Sequence, residues 1–327
     1  MAVINPPIQR KVATEIVEFA FGGECDLLGV VPLPGGQVNS TGMLILDDGR
    51  RLVLRIAPDP ARADEGPSWL SPFGLRRELA VVAAAPDLAP LLPTTVMHDF
   101  HGVVVNRDWV LQEVMPGVPL DSLLPSLDDE TAATIWAEVG RFMRRLHDYG
   151  EQPFGPLVWG AQFDSWPDLL AHDLQGLQAD AERYGLPREP FRRLGGAIER
   201  QAGMMAGVAP ALIHSDLNPG HIFVTDDDED GTLHLGGVID LEYGRMADPL
   251  SEHLLASALT DTTGSLALRS IVAAYGKRDL NQAETVRIGI ASALGAAWDA
   301  TLVAFQQGDS SPAMDRLDLL LGDLENG

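Results

Sequence analysis

Cysteine is nearly absent from this sequence of 327 residues, in which Cys25 is the only one. A single cysteine excludes a disulfide within the chain and a zinc site built on several thiolates. The segment Met1–Lys11 also has no apolar run of the kind found in secretory signals. We therefore expect a protein of the reducing cytoplasm.

Positive charge is also scarce. Lys and Arg number 23 against 47 Asp and Glu, which gives a formal charge of -24 at pH 7. Such an excess of negative charge disfavours binding to nucleic acid or to an anionic membrane, and it attracts cationic small molecules. The only lysines are Lys11 and Lys277, so arginine must supply most cationic groups that a site requires. We expect neither a nucleic acid nor a membrane as partner.

Long uninterrupted apolar runs are missing too. The most apolar helical stretch, Ile288–Phe305, is interrupted by Asp299, which predicts a core helix and not a membrane span. Hydrophobic residues nevertheless make up 46% of the chain and charged residues 21%. This composition is that of a folded globular protein with a well-buried core.

The first third of the chain has the pattern of strands. Met43–Leu46 and Arg51–Ile56 flank the turn Asp47–Gly49, which predicts a hairpin. A glycine-rich connection, Leu33–Gly42, precedes it. The further elements predicted in this part are a helix over Gly74–Ala85 and strands over Thr94–His98, Val103–Val105 and Trp109–Val114.

The rest of the chain is mostly helical. Apolar residues at helical spacing form one face between Trp136 and Leu146. One hairpin interrupts the helices, with strands over Ile222–Val224 and Leu233–Ile239. We therefore predict an α+β fold with two lobes, a strand-rich lobe at residues 1–114 and a helical lobe at 115–327. This layout is typical of the bilobal protein-kinase-like fold.

Three chemically suitable side chains lie around the second hairpin. Asp216 and His221 lie in the polar loop before its first strand, and Asp240 ends its second strand. The three side chains are therefore expected to converge at one end of the hairpin. Phosphoryl transfer needs such a set, namely a carboxylate beside the acceptor hydroxyl and two ligands for a Mg²⁺ ion that neutralises the phosphates.

The segment His214–Ile222 resembles the His-x-Asp-x-x-x-x-Asn catalytic loop of the aminoglycoside phosphotransferase family, and Val238–Glu242 resembles its metal-binding motif. Further segments resemble, in the same order as in the family, its nucleotide loop (Gly36–Thr41), lysine strand (Leu52–Ile56), acidic helix (Arg77–Leu79), hinge (Trp109–Gly117) and a helix motif (Leu146–His147). Several short motifs in the right order carry far more weight than any one alone.

The resemblance implies a small-molecule kinase that uses Mg²⁺ and either ATP or GTP. It implies that Asp216 is the catalytic carboxylate and that His221 and Asp240 hold the metal. Glu78 would hold Arg55 against the phosphates. The nucleotide-binding residues that it implies are Gly36, Asn39, Ser40, Arg55, Glu78, Gln112, Glu113 and Val114.

Two positions depart from the family pattern. His221 stands where the family usually has Asn, and Arg55 stands where it has the phosphate-binding lysine. Macrolide kinases and some aminoglycoside 2''-kinases are similar in having His at the position of His221. Macrolide kinases are also similar in having Arg at the position of Arg55. An imidazole can ligate a divalent cation, although Mg²⁺ prefers oxygen, and a guanidinium can bind phosphate.

The acceptor stays open at this point. The negative charge favours a polycation such as an aminoglycoside or a basic peptide antibiotic, with Glu242, Glu252 and Asp299 as candidate ligands. The Arg55 and His221 variants favour a macrolide, which would need a more apolar pocket. In either case phosphorylation would inactivate an antibiotic. A metabolic amino-alcohol or sugar kinase and a nucleotide-binding pseudokinase remain alternatives, and the oligomeric state is left open.

Overall fold

The structure is a computed structural model that describes residues 6–33, 38–61, 66–227, 231–277 and 279–326. It has the predicted α+β architecture, with a strand-rich lobe followed by a helical lobe. The strands are β1 (Leu27–Pro32), β2 (Ser40–Leu46), β3 (Arg51–Ile56), β4 (Thr95–Asp99), β5 (Trp109–Glu113), β6 (Val118–Pro119), β7 (Ala211–Ile213), β8 (Ile222–Asp226), β9 (Leu233–Val238) and β10 (Arg245–Ala247). The helices are α1 (Arg10–Phe21), α2 (Gly74–Ala84), α3 (Leu120–Leu123), α4 (Asp129–His147), α5 (Trp166–Tyr184), α6 (Arg188–Arg200), α7 (Ala202–Met205), α8 (His253–Leu259), α9 (Leu266–Tyr275), α10 (Gln282–Phe305) and α11 (Ser311–Asn326).

The first lobe is built on an antiparallel sheet with the strand order β1-β2-β3-β5-β4. The predicted β2–β3 hairpin is present, with Leu44 opposite Leu52. Alternate residues of β2 are buried because side chains along a strand point to opposite faces, and Leu52, Leu54 and Ile56 of β3 are buried on the same face. This buried face packs against α1, whose inner residues are Ala13, Ile16 and Val17.

The strand predicted over Val103–Val105 does not form. Asp99, at the end of β4, accepts hydrogen bonds from the backbone N–H groups of His101 and Val103 at 2.8 and 2.7 Å. It also accepts one from the N–H of Val104 at 3.3 Å. These bonds fold the chain into a turn, and they occupy the donors that a strand would use for its ladder.

The helical lobe has its core around α4. The apolar face predicted for this helix is buried, and α9 packs along the helix. Asp128 caps the start of α4 by accepting the backbone N–H groups of Glu130 and Thr131. The predicted hairpin forms as β8 and β9, and β6 extends it to three strands. This small sheet packs on α4 and so holds the catalytic segments against the core.

Among the described residues, α10 is the one helix that is long and apolar enough to cross a membrane by length and composition alone. Its most apolar window has a mean hydropathy of 1.5. In the fold, α10 packs against α5, α6 and α11, and its alanine-rich side belongs to the core of the helical lobe. This packing is that of a core helix, as the interruption at Asp299 predicts.

Candidate active site

The loop that carries Asp216, the predicted catalytic carboxylate, runs between β7 and β8. Ser215 takes a left-handed backbone conformation, with φ at 70°, which residues other than glycine rarely adopt. A single 3-10 turn at Pro219–His221 follows, and Asn218 caps it by accepting the N–H of Gly220 at 3.0 Å. Such unusual backbone persists only where surrounding contacts impose it, as is common at active sites.

His214 supplies one of these contacts. It is completely buried, and its Nε2 lies 3.0 Å from the backbone oxygen of Ile239, while its Nδ1 lies 3.2 Å from the backbone nitrogen of Asp216. Because the carbonyl can only accept, Nε2 carries the proton and Nδ1 accepts from Asp216. Burial lowers the pKa of His214 to about 4, so the ring is neutral. His214 therefore joins the loop of Asp216 to the end of β9.

Glu252 supplies another contact. Its Oε2 accepts the backbone N–H of His214 at 2.7 Å and that of Ser215 at 3.3 Å. The side chain is wholly buried, and burial raises its pKa to about 7. The structure thus places Glu252 beneath the catalytic loop and not in the acceptor pocket, where the sequence analysis put it.

Asp216, His221 and Asp240 converge as predicted. Nδ1 of His221 lies 2.8 Å from the backbone oxygen of Asp216 and 3.0 Å from the side-chain nitrogen of Asn218. With the proton on Nδ1, donated to that backbone oxygen, the lone pair of the imidazole is on Nε2, which is 3.5 Å from Oδ2 of Asp240. An imidazole nitrogen and a carboxylate oxygen at this separation can share one cation, and the bond at Nδ1 orients the ring for it.

These two side chains are the protein ligands available at this point. Among the described residues there is no group of three or more His, Cys, Asp or Glu side chains arranged to hold a metal. A Mg²⁺ ion that bound His221 and Asp240 would therefore complete its coordination with phosphate oxygens and water. That is its usual arrangement in phosphoryl-transfer sites.

Arg55 joins the two lobes through carboxylates. Its Nη1 lies 2.5 Å from Glu78 on α2, and its Nη2 lies 2.6 Å from Oδ1 of Asp240. Gln112 donates to the second oxygen of Glu78 at 2.8 Å, so this carboxylate is held on both sides. Burial opposes the charge on Arg55, but Glu78 and Asp240 outweigh it and raise the arginine pKa. Burial also opposes the negative charge of Asp240, but the nearby Arg55 outweighs burial and lowers the pKa of this carboxyl group.

Glu242 belongs to the same network. Asn39 donates to its Oε2 at 2.7 Å, and Arg55 Nη2 lies 3.8 Å from that oxygen. Gly74 leaves room for this carboxylate, because a Cβ at that position would lie 2.6 Å from Oε2 of Glu242. Burial, with a contribution from Asp240, raises the pKa of Glu242 to about 8. Glu242 thus lies in the interlobe network, and it is not among the residues that line the cavity beside Asp216, where the prediction of an acceptor ligand would require it.

The remaining nucleotide-site predictions fall around this network. Asn39 and Ser40 are buried at the start of β2. The backbone N–H of Glu113 donates to Thr94 within the sheet at 2.9 Å, whereas Val114 is 42% exposed at the junction of the lobes. Gly36 lies outside the described residues. The nucleotide-binding roles of all these residues remain predictions.

A cavity of about 720 Å³ opens beside the catalytic loop. Asp216 and Asp299 lie in its wall, together with Tyr243 and the aromatic rings of Trp166 and Trp298. The leucine and isoleucine residues in the wall are Leu169, Leu170, Leu177, Ile213, Leu217 and Leu294. The cavity is therefore large and mainly apolar, with the catalytic carboxylate at one point of its wall.

The charged side chains of the cavity are balanced. Three of them are aspartates (Asp173, Asp216 and Asp299) and three are arginines (Arg77, Arg245 and Arg316). Two of the aspartates already have an arginine beside them, because Arg245 lies 2.6 Å from Asp173 and Arg316 lies 3.5 Å from Asp299. The overall charge of -24 is thus not concentrated in this cavity.

Sequence reasoning assigned the acceptor pocket to the helical lobe and missed a contribution from the first lobe. Ser68, Trp69 and Ser71, which precede α2, and Arg77 on α2 also line the cavity. The sequence signal that could have found them is weak. Trp69 is an aromatic residue in a segment with no helical or strand periodicity, where no core position is expected.

Comparisons with known proteins agree with this geometry. Several solved structures are similar over nearly their whole length. An ADP-bound aminoglycoside phosphotransferase APH(2'')-Ib is 14% identical, with a TM-score of 0.59 and coverage of 96% of this chain and 97% of that one. The GDP and kanamycin complex of APH(2'')-IIIa is 17% identical, with a TM-score of 0.64 and coverage of 96% and 99%. Choline kinase LicA from Streptococcus pneumoniae is 15% identical, with a TM-score of 0.65 and coverage of 97% and 99%.

At these identities the likeness shows a shared kinase-like fold and nothing about the acceptor. Among curated protein sequences, none matches this chain. The family model of the phosphotransferase enzyme family, APH, matches residues 29–286, which is most of the chain and includes both lobes and the catalytic loop. Together with the converging Asp216, His221 and Asp240, this match shows that the chain belongs to the APH family of phosphotransferase enzymes.

Proposed function

We propose that this protein is a kinase that transfers the γ-phosphoryl group of ATP or GTP to a hydroxyl of a small molecule bound in the cavity. One observation carries the proposal. Asp216 lies in the wall of the cavity. The two candidate metal ligands are not among the residues that line it, and His221 lies 3.7 Å from Oδ2 of Asp216 and 3.5 Å from Oδ2 of Asp240. An acceptor hydroxyl beside Asp216 would thus face the phosphates held by the interlobe network.

Asp216 would orient the acceptor hydroxyl and accept its proton. Burial raises the pKa of Asp216, and Asp240 adds to this, while His221 opposes it. A carboxylate with a raised pKa accepts a proton more readily. Asn218 lies 3.3 Å from Oδ1 of Asp216 and can hold the side chain in position. The proton of the hydroxyl would pass to Asp216 as the hydroxyl oxygen bonds to the γ-phosphorus, while the bond from that phosphorus to the bridging oxygen breaks and ADP or GDP leaves.

The nucleotide would be held from both lobes. Bound Mg²⁺ would supply positive charge at the phosphate oxygens, held by Nε2 of His221 and the carboxylate of Asp240. Arg55 is placed between Glu78 and Asp240, where its guanidinium can turn toward the α- and β-phosphates. Glu78 and Gln112 would keep Arg55 in this position when the nucleotide replaces its contact with Asp240.

The cavity supports a bulky acceptor of low charge. A polycation would need several free carboxylates in the wall, but Asp173 and Asp299 already have arginine neighbours. A wall of aromatic and aliphatic side chains suits a large apolar ring instead. Of the acceptors compatible with the sequence, a macrolide antibiotic fits this wall best, and its phosphorylation would inactivate the drug.

Purified protein with Mg²⁺ and either ATP or GTP tests this proposal against macrolides, aminoglycosides, basic peptide antibiotics, amino alcohols and sugars. Mass spectrometry of each acceptor would reveal an added phosphoryl group. We expect product with a macrolide and none with Asp216→Ala. Faster transfer to an aminoglycoside would refute the acceptor assignment alone. No nucleotide binding and no transfer to any acceptor would refute the kinase assignment.

A further inference from the structure

The segment at residues 66–73 connects the first lobe to the acceptor cavity, and we call it the strap. It precedes α2 in the chain but lies against α5 of the helical lobe. The backbone N–H of Ser68 donates to both oxygens of Asp180 at 2.9 and 3.0 Å, and its hydroxyl donates to Oδ2 at 2.6 Å. Arg183 donates to the backbone oxygen of Gly66 at 2.5 Å. Two residues of α5 therefore hold the strap by its first half.

The anchor at Asp180 is buried and specific. Asp180 is only 2% exposed, although aspartate is rarely buried unless its charge is satisfied by partners. Gly176, one turn earlier on α5, leaves the room that Ser68 occupies, because a Cβ there would lie 2.6 Å from the serine Oγ. The buried carboxylate of Asp180 binds Ser68, and Gly176 leaves the space that Ser68 occupies. Together they fix the position of the strap on this helix.

The anchor sets the position of Trp69. The ring of Trp69 lies 4.8 Å from that of Trp298 on α10 and 6.5 Å from that of Tyr243, measured between centroids. All three rings line the cavity. Trp69 therefore closes a wall that the helical lobe alone leaves incomplete.

The far end of the strap is tied down as well. Phe73 stacks on Trp159 with centroids 4.8 Å apart. Arg77, on the next turn of α2, donates to the backbone oxygen of Trp159 at 2.6 Å. With both ends attached to the helical lobe, Trp69 in the middle is held over the cavity.

We propose that Asp180 is a positioning residue that determines acceptor affinity, because it holds the strap so that Trp69 forms part of the acceptor-binding wall. The inference rests on the proposed kinase function and adds that the first lobe contributes to acceptor recognition. An acceptor with a broad apolar face would pack against Trp69, Tyr243 and Trp298. The nucleotide site, on the other side of Asp216, would not depend on this anchor.

Steady-state kinetics of the full chain with erythromycin and the preferred nucleotide test the inference. Asp180→Ala removes both anchoring oxygens, and we expect it to raise the acceptor KM about tenfold, the effect of losing hydrogen bonds to a charged group. The nucleotide KM and kcat are expected to change less than twofold. Ser68→Ala keeps the backbone bond and is expected to have a smaller effect in the same direction.

Two further variants separate positioning from stability. Gly176→Ala is expected to stabilise α5, because alanine has a higher helix propensity than glycine, but its Cβ displaces Ser68. A raised acceptor KM in this variant would therefore not come from a loss of helix stability. We expect a raised acceptor KM. Gln178→Ala is the matched control, because Gln178 lies on the same helix, is exposed, does not line the cavity and donates to the backbone oxygen of Phe191 on α6 at 3.4 Å. It is expected to leave both KM values unchanged.

A double variant tests whether Asp180 acts through Trp69. Trp69→Ala removes the wall itself, and adding Asp180→Ala to it is expected to raise the acceptor KM no further. Fully additive effects, or equal changes in nucleotide and acceptor KM, would overturn the inference. Transfer by the wild-type protein with an unchanged acceptor KM in Asp180→Ala and Gly176→Ala would overturn it while the proposed function stands. No transfer to any acceptor by the wild-type protein would overturn both.

Discussion

Glu242 allows a sharp test of the electrostatics at the junction of the lobes. Its carboxyl group is fully buried, accepts a hydrogen bond from Asn39 and lies near Asp240. Burial and Asp240 raise its pKa from the ordinary 4.5 to about 8, so at neutral pH it is mainly protonated in the folded protein. Replacing it with glutamine, in Glu242→Gln, gives a side chain of the same shape that never ionises.

The expected magnitude follows from the proton balance. Between pH 4.5 and 8 the folded state keeps a proton on Glu242 that the unfolded chain releases, so the wild-type protein becomes less stable as the pH rises. The loss is about 1.4 kcal/mol per pH unit and reaches about 3 kcal/mol at pH 7. The glutamine in Glu242→Gln avoids this loss. Its amide oxygen can still accept from Asn39, so we expect the variant to be more stable by up to about 3 kcal/mol at pH 7.

Urea unfolding at several pH values between 5.5 and 8 measures this effect. The difference in unfolding free energy between Glu242→Gln and the wild type is expected to grow as the pH rises. Glu252, whose pKa is also raised, contributes equally to both proteins and cancels in the difference. Glu15→Gln removes an exposed glutamate of α1 and serves as the control for loss of one carboxylate. Parallel pH profiles for Glu242→Gln and the wild type would refute the reasoning.

Three further outcomes are expected. Arg55→Met leaves the buried Glu78 and the half-buried Asp240 without their cation, and it should lower the urea-unfolding free energy by about 3 kcal/mol; an unchanged midpoint would contradict this. Asp128→Ala removes the cap of α4 and should cost about 1 kcal/mol in thermal unfolding without altering turnover; lost turnover would count against it. His221→Asn exchanges nitrogen for oxygen, so transfer titrated with Mg²⁺ should saturate at a lower metal concentration, and an unchanged Mg²⁺ dependence would argue against metal binding at this position.

Local signals in the sequence predicted the elements that carry the chemistry. The turn residues between β2 and β3 and the polar loop before β8 are short-range features, and the structure has both as expected. The predicted strand over Val103–Val105 failed for an equally local reason. Asp99 takes up the backbone donors of that segment, and a side chain that competes with the ladder is not visible in hydrophobic patterning.

Long-range contacts were harder to predict. Glu242 and Glu252 were predicted as acceptor ligands, and that prediction was wrong because the sequence does not say toward which neighbours a carboxylate points. The structure directs Glu242 to Asn39 and Glu252 to the backbone of the catalytic loop. Trp69 was missed because the residue before it, Ser68, binds Asp180, which lies far along the chain. Net charge was misleading for the cavity because it is an average over the whole surface.

The most direct test of the central claim uses Asp216→Asn. This change keeps the shape of the side chain and removes its ability to accept the hydroxyl proton, so nucleotide binding should be untouched. Calorimetry would measure the nucleotide affinity, and mass spectrometry would measure phosphoryl transfer to erythromycin in the same preparation. We predict unchanged nucleotide affinity with transfer reduced by about 100-fold or more. Transfer at the wild-type rate would contradict the assignment of Asp216 as the catalytic carboxylate.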